Sequence, residues 1–186
     1  LQIGTEKKAY VISASLDFAV LKPILEEGKT LKILQNGKFD YGALKMTKGI
    51  ELNNIYDTMI AERIITTGIK RENSLGAFAK KYLDITLDKD YESYNWEEVG
   101  RTGRVTQKHL KYAALDVLVL FPIFRKQFET LKKEDLLKVS KLEFQLIPVV
   151  AEMELRGSRI DVKKWHENTE ELKKKRNEIA AQIQVE

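Results

Sequence analysis

Apolar residues recur with helical spacing from Thr106 to about Leu131, and this stretch predicts the central helix of the fold. Within it, apolar side chains follow an i, i+3, i+4, i+7 order that predicts a buried stripe, namely Leu110, Ala113, Ala114, Val117 and Phe121. Tyr112 and Asp116 are one helical turn apart, so a helix places them on one adjacent face. Such a pair can combine a metal ligand with a water-orienting group, although it is also common on solvated helices.

Short β-branched and aromatic runs predict the strands. Residues 1–5 and 8–13 predict an antiparallel hairpin, residues 31–34 a short apolar strand, and residues 50–56 a further strand. Local capping signals predict helices at residues 18–27 behind Asp17, 38–48 before Gly49, 58–65 behind Asp57, from Ser74 onward, and behind Thr106. Residues 84–105 predict a long irregular connection. Alternating strands and helices predict an α/β fold with a mixed sheet flanked by helices.

The pattern changes after Leu131. Residues 134–155 predict an apolar-faced helix that Gly157 ends, and residues 162–184 predict a last, highly charged helix. On that helix Glu170 and Lys174, and Glu171 and Lys175, have i, i+4 spacing. We therefore expect two parts, an α/β domain at residues 1–131 and an incomplete all-helical segment at residues 132–186.

Composition restricts the chemistry. The 186 residues carry a net charge of +4, which neither requires nor opposes a nucleic-acid partner. There is no cysteine and there are two histidines, so any metal site must be built mainly from carboxylates, which favours Mg²⁺ or Mn²⁺. Asp40 is a candidate ligand, because it follows the strand at residues 31–34 at the start of a helix, where catalytic groups of α/β sheets gather. It is equally compatible with an ordinary acid that the helix dipole stabilises. No long apolar run is present, so we expect a soluble protein without a membrane partner.

Four motifs and the tail occur in the order found in one protein family. The chain resembles the 3′–5′ proofreading exonuclease domain of family A (DNA polymerase I type) DNA polymerases, which is related to RNase D and DnaQ-like exonucleases and has an RNase H-like fold. The resemblance lies in the segments Asn36-Gly37-Lys38-Phe39-Asp40, Tyr56-Asp57-Thr58-Met59, Ser74 to Leu83, Tyr112-Ala113-Ala114-Leu115-Asp116, and the tail from Leu142 to Val162, which resembles the junction with a polymerase domain.

The resemblance implies hydrolysis of phosphodiester bonds at single-stranded DNA 3′ ends by two divalent cations, Mg²⁺ or Mn²⁺. It implies that Asp40 ligates the cation on the leaving-group side, that Asp116 ligates the cation that activates water, and that Tyr112 orients that water. It places Asn36 near the terminal nucleotide, the polymerase domain in the same chain, and the protein in the cytoplasm if it is of bacterial or phage type.

One departure concerns the family's first motif, an Asp-x-Glu on the first strand. No such motif precedes Asp40, and the chain opens at Leu1 without an initiator methionine, so we expect a fragment whose sheet lacks its first strand and which is inactive alone.

Other candidates are weaker. Arg71, Arg101 and Arg104 flank the expected cleft and are candidate phosphate contacts. Tyr91, Tyr94 and Trp96 could stack on bases, although packing explains them more simply, and His109 is expected to be a lining or surface residue. Two alternatives stay open: an RNase D-like 3′ exoribonuclease, and an exonuclease-fold module without catalysis that braces a polymerase or binds DNA.

Overall fold

The structure of the protein is a computed structural model that describes residues 1–69, 72–87 and 96–185, with the backbone alone at residues 96–98 and 184–185. The chain forms two compact units, Leu1–Glu152 and Met153–Glu186. The predicted boundary at residues 131 and 132 concerns sequence relationship rather than compactness, and it stays a prediction.

The strands form two separate pairs. Strands β1 (Gln2–Gly4) and β2 (Ala9–Val11) pair antiparallel with Ile3 opposite Tyr10, as the predicted hairpin requires. Strands β3 (Lys32–Leu34) and β4 (Ile55–Asp57) pair in parallel. The prediction of one mixed sheet is wrong for the described residues, because no strand among them connects the two pairs. The fold is α/β, but it is largely helical and its sheets are small.

Helices make up most of the described chain. In order they are α1 (Lys22–Glu26), α2 (Gly37–Lys48), α3 (Thr58–Ile65), α4 (Leu75–Leu83), α5 (Trp96–Thr102), α6 (Gln107–Leu118), α7 (Leu120–Lys133), α8 (Leu137–Arg156) and α9 (Val162–Val185). Where a cap is local in sequence, the prediction is confirmed. Ser74 accepts a hydrogen bond from Ala77 N at the start of α4, and Gly49 ends α2 with a left-handed φ of 61°.

Prolines explain two wrong helix predictions. Helix α1 begins at Lys22, beside Pro23, rather than at residue 18, since proline is suited to a first turn and cannot continue a helix from its N-terminal side. Asp17 instead caps a turn, where its Oδ1 accepts from Ala19 N at 2.9 Å. The run from Thr106 is divided at Val119 into α6 and α7, because Pro122 has no N–H to continue the hydrogen-bond ladder.

Two further predictions are wrong in part. The irregular connection predicted at residues 84–105 contains helix α5, while residues 88–95 lie outside the described residues. The strand predicted at residues 50–56 is limited to β4. Ile50 and Leu52 are apolar because they are buried in the core, at 1% and 2% exposure, and not because they belong to a strand.

The main core lies between α2, the segment that leads into β4, and the middle of α8. It consists of Phe18, Leu25, Tyr41, Leu44, Ile50, Leu52, Ile55, Ile147 and Ala151. Two smaller clusters flank it. One surrounds Tyr56, Ala61 and Leu131, and the other surrounds Phe78, Val119 and Ile123. Helix α7 therefore packs on α3 and α4 and continues directly from α6.

A buried polar network joins α3, α4 and α7. The Glu62 carboxylate, 2% exposed, accepts from Lys81 Nζ at 2.6 Å, the Tyr82 hydroxyl at 2.5 Å and Gln127 Nε2 at 3.2 Å. Burial would raise the pKa of Glu62, but these three hydrogen bonds outweigh burial and lower it. Gln127, which is fully buried, also donates to the Thr58 carbonyl at 3.0 Å.

The second unit contains the end of α8, Gly157 in a left-handed conformation, and the exposed helix α9. Of the predicted charge pairs, Glu171–Lys175 is present at 2.7 Å, whereas Glu170 pairs with Lys173, at i+3, rather than Lys174. A search of the described residues finds no helix with the length and apolar character needed to cross a membrane.

Candidate functional site

Asp40 lies in the first turn of α2, where the sequence places it. Its carboxyl is partly buried, and the pKa of Asp40 is raised from 3.8 to about 6. Burial is the largest cause, the nearby charge of Asp57 adds to it, and a backbone hydrogen bond opposes both. Without a metal ion, a substantial fraction of the Asp40 carboxyl is protonated near pH 6. A bound cation would stabilise the ionised form.

Asp57 is a second acid close to Asp40, and its main contacts are with backbone amides. It caps α3, accepting from Met59 N at 2.8 Å and Ile60 N at 3.0 Å, as predicted. It also accepts from Gly37 N at 2.6 Å, which the sequence did not indicate. A residue 20 positions away in sequence thus helps to hold the N-terminus of the helix that carries Asp40.

Helix α6 carries the other two candidate catalytic residues, Tyr112 and Asp116. Thr106 and His109 form a capping box at its start, in which Thr106 N donates to His109 Nδ1 at 3.0 Å. His109 is 9% exposed, so it is not a surface residue, and its ring closes the helix end; whether it lines the cleft stays a prediction. The prediction of one buried apolar stripe is also wrong in part, because Leu110 is exposed and Phe121 belongs to α7.

Tyr112 and Asp116 face the same way on α6 and are joined directly. A side-chain hydrogen bond from Tyr112 to Asp116 favours the charged carboxylate, and burial, the larger influence, raises the pKa of Asp116 from 3.8 to about 6. The one-turn pair that the sequence predicts is therefore formed, with the phenol donating to the carboxylate. The phenol oxygen keeps lone pairs that can accept a hydrogen bond from a third group.

The hairpin fixes α6 from one side. A Cβ added at Gly4 would lie 2.5 Å from Cγ1 of Val117, the residue after Asp116. Only glycine permits so close an approach of β1 to the helix. The position of the Tyr112–Asp116 pair thus depends on a residue outside the motif.

The structure brings the predicted residues together in two groups. Asp40 lies within electrostatic reach of Asp57, and Tyr112 bonds to Asp116. Within residues 1–69, 72–87 and 96–185, no three His, Asp or Glu side chains form a group able to hold a metal ion. The carboxylate donors suit Mg²⁺ or Mn²⁺ in type.

The predicted DNA contacts have different outcomes. Asn36 is exposed and left-handed, with φ of 59°, at the turn into α2. Arg101, in the last turn of α5, and Arg104, just after it, are exposed. Arg71 lies outside the described residues, as do Tyr91 and Tyr94, and only the backbone of Trp96 is described.

A family profile described as 3′–5′ exonuclease matches residues 1–132. The chain belongs to the 3′–5′ exonuclease family. The match covers α2 and α6 and ends within α7, so both halves of the candidate site lie inside it.

The chain is similar in sequence to a DNA polymerase I, and it shares its fold with nucleases of known structure. DNA polymerase I of Aquifex aeolicus is 30% identical over 99% of this exonuclease chain, which spans 33% of that polymerase. Among solved structures, Brucella melitensis NrnC bound to pGG is similar, with a TM-score of 0.69 and 25% identity over 82% of this chain and 73% of NrnC. Escherichia coli RNase D shares the fold, with a TM-score of 0.65 and 24% identity over 74% of this chain and 35% of RNase D.

Proposed function

We propose that this chain is the proofreading 3′–5′ exonuclease domain of a DNA polymerase. Residues 1–131 form the exonuclease domain, and residues 132–186 form the beginning of a polymerase domain in the same chain. The substrate is the single-stranded 3′ end of DNA, from which nucleoside monophosphates are released. The similarity to the Aquifex polymerase supports this assignment, because it covers 99% of the chain and so extends past the exonuclease profile.

The observation that carries the proposal is the Tyr112–Asp116 hydrogen bond on α6, together with a second partly buried acid on α2. Asp40 and Asp116 would ligate Mg²⁺ or Mn²⁺, a requirement in keeping with a structure of NrnC that contains bound Mg²⁺. When bound, a pair of such cations would stabilise the attacking and leaving oxygens of the phosphodiester.

The residues of this chain prepare the reaction. The Tyr112 hydroxyl donates a hydrogen bond to Asp116, and its oxygen has lone pairs that can accept a hydrogen bond from the attacking water and orient it. Asn36 presents its side chain at the turn into α2, next to the terminal nucleotide, and the exposed Arg101 and Arg104 attract the phosphate backbone.

The test uses the full-length protein and 5′-labelled single strands of DNA and RNA with one sequence. We expect Mg²⁺-dependent shortening of DNA from the 3′ end, which EDTA abolishes and Asp116→Ala removes. Tyr112→Phe keeps the ring and loses the hydroxyl, and we expect it to lower kcat more than it raises KM. Asp161→Ala, which alters an exposed cap of α9, is the matched control and should leave activity unchanged.

Each other outcome overturns the proposal in a defined way. Activity that survives Asp116→Ala or excess EDTA excludes this site. Faster shortening of RNA than of DNA would favour a 3′ exoribonuclease, the function suggested by the shared fold with RNase D, which is an exoribonuclease. No metal-dependent cleavage of either strand would favour a non-catalytic module.

A further inference from the structure

Asp57 occupies the point where the two parallel strands end. It is the last residue of β4, lies opposite Leu34 in the strand register, and is 1% exposed. Leu34 is the last residue of β3, and the turn into α2 follows it at once. A side chain at this position reaches the N-termini of α2 and α3 together.

Both oxygens of the Asp57 carboxylate accept hydrogen bonds from backbone amides. Oδ1 accepts from Met59 N and Ile60 N on α3, while Oδ2 accepts from Gly37 N at 2.6 Å. The Asn36 amide also donates to the carboxylate. An ionised carboxylate has about four acceptor positions, so these four donors leave none for a metal ion. Asp57 is therefore placed beside the candidate ligand Asp40 without being a ligand itself.

The turn that Asp57 holds has little room to rearrange. Asn36 is in the left-handed region, and a Cβ added at Gly37 would lie 2.8 Å from Leu34 Cδ1. The neighbouring hydroxyl of Thr58 donates to the Leu34 carbonyl at 3.0 Å, which holds the same turn from its other end. The start of α2 is thus defined by two consecutive residues, Asp57 at the end of β4 and Thr58 at the start of α3.

Asp40 lies in the first helical turn that this arrangement fixes, three residues after Gly37. We propose that Asp57 is a positioning residue of the exonuclease site, which holds the Asn36–Gly37 turn and thereby places Asp40, without touching substrate or metal. The inference rests on the proposed function for its catalytic consequence, whereas its structural consequence can be measured independently.

The first experiment measures hydrogen exchange of the full-length protein over residues 35–40. Asp57→Ala removes the carboxylate that accepts from all four amides. We expect hydrogen exchange at residues 35–40 to become at least about tenfold faster, because the Asn36 and Gly37 amides lose their acceptor. Asp57→Asn keeps the size of the side chain and one accepting oxygen, so the exchange rate at residues 35–40 should increase less. This variant replaces Asp57→Ala in the test if Asp57→Ala does not fold. Asp161→Ala, another capping aspartate, should not change exchange at residues 35–40. Unchanged exchange in both Asp57 variants overturns the proposal, whether or not the protein is a nuclease.

The second experiment measures Mn²⁺ binding by electron paramagnetic resonance, together with kcat and KM on single-stranded DNA. Loss of a residue that orients a metal ligand weakens metal binding or activity about 10- to 100-fold, and we expect this for Asp57→Asn, with KM nearly unchanged. A variant that only destabilised the fold would bind Mn²⁺ normally below its unfolding temperature. Normal Mn²⁺ affinity and kcat, or a change in KM alone, overturns the positioning role. An inactive wild-type protein would instead refute the proposed function, while the exchange data still decide what Asp57 does.

Discussion

The Tyr41 hydroxyl donates a hydrogen bond to Glu152 Oε1 at 3.2 Å and so joins α2 to α8. Lys45, one turn later on α2, lies 3.1 Å from the same carboxylate. Beneath these polar contacts Ile147 and Ala151 of α8 are buried in the core that contains Tyr41. Since Tyr41 directly follows Asp40, α8 supports the helix that carries a candidate metal ligand.

Tyr41→Phe should therefore destabilise the protein modestly. The change removes one partly exposed hydrogen bond and keeps the buried ring, so we expect a loss of about 1 kcal/mol in the free energy of unfolding. Urea unfolding of the chain measures it, and a double-mutant cycle with Glu152→Ala, which removes the accepting oxygen, isolates the pair. Tyr10→Phe alters a tyrosine that is half exposed on β2 and should have no effect. Additive effects of the two substitutions in the cycle would show that the contact is not stabilising.

A chain that ends at residue 132, where the family match ends, should fold poorly. It would lack Ile147 and Ala151 and leave the apolar side chains beneath them exposed to water. A chain that ends at residue 156 keeps this contact and should unfold cooperatively. Circular dichroism during heating compares the two, and a cooperative transition for the shorter chain at the same temperature would contradict the expectation.

Gly4→Ala should disturb the site from a distance. The new Cβ would lie 2.5 Å from Val117, so β1 or α6 must move, which costs about 1–3 kcal/mol and shifts Asp116. We expect lower stability and lower nuclease activity. Gly76→Ala is the matched control, because it meets no atom within 4 Å and lies within α4, where alanine is favoured by up to about 1 kcal/mol. Equal effects of the two substitutions would argue against a close approach at Gly4.

The two raised pKa values predict how stability depends on pH without metal. Asp40 and Asp116 have pKa values of about 6, against 3.8 for the ordinary group. Between about pH 4 and 6 the folded protein holds protons that the unfolded chain has released, so stability falls as pH rises through this window. Asp40→Asn and Asp116→Asn should each flatten this fall and raise Tm at pH 8 in EDTA.

Thermal unfolding from pH 4 to pH 8 measures the effect. Mg²⁺ should raise the Tm of the wild-type protein at pH 8, since it binds the folded state, and should raise that of the variants less. Asp161→Asn, on the exposed start of α9, should behave as the wild type does. Variants at Asp40 and Asp116 whose Tm depends on pH as that of the wild type does would contradict the raised pKa values.

Local signals predicted the parts of the fold that depend on neighbouring residues. The caps at Asp57, Ser74 and Thr106 were predicted because a side chain and an amide three residues away are sufficient to form each one. The placement of Tyr112 and Asp116 on one face of a helix is predicted for the same reason, since one helical turn determines it, whereas the hydrogen bond between them is seen only in the structure.

Long-range contacts could not be predicted in the same way. Nothing in the sequence around Asp57 indicates the Gly37 amide, and nothing around Glu152 indicates Tyr41, because these contacts depend on how separate elements pack. Two helix starts also differ from the prediction, because Pro23 and Pro122 each lie in the first turn of a helix, where the missing N–H is tolerated. The separation of the two strand pairs likewise depends on the whole sheet rather than on any one strand.

The buried Glu62–Gln127 network has a consequence for the angular setting of the site. Gln127 can satisfy its amide against α3 at one rotational setting of α7 only, because a shift by one residue turns a helix by about 100° and would bury the amide without partners. Helix α6 joins α7 through a single residue, Val119, so the phase of α7 is passed on to α6. The network therefore fixes the rotation of α7 about its axis and, through Val119, that of α6. This rotation determines the direction in which Tyr112 and Asp116 point.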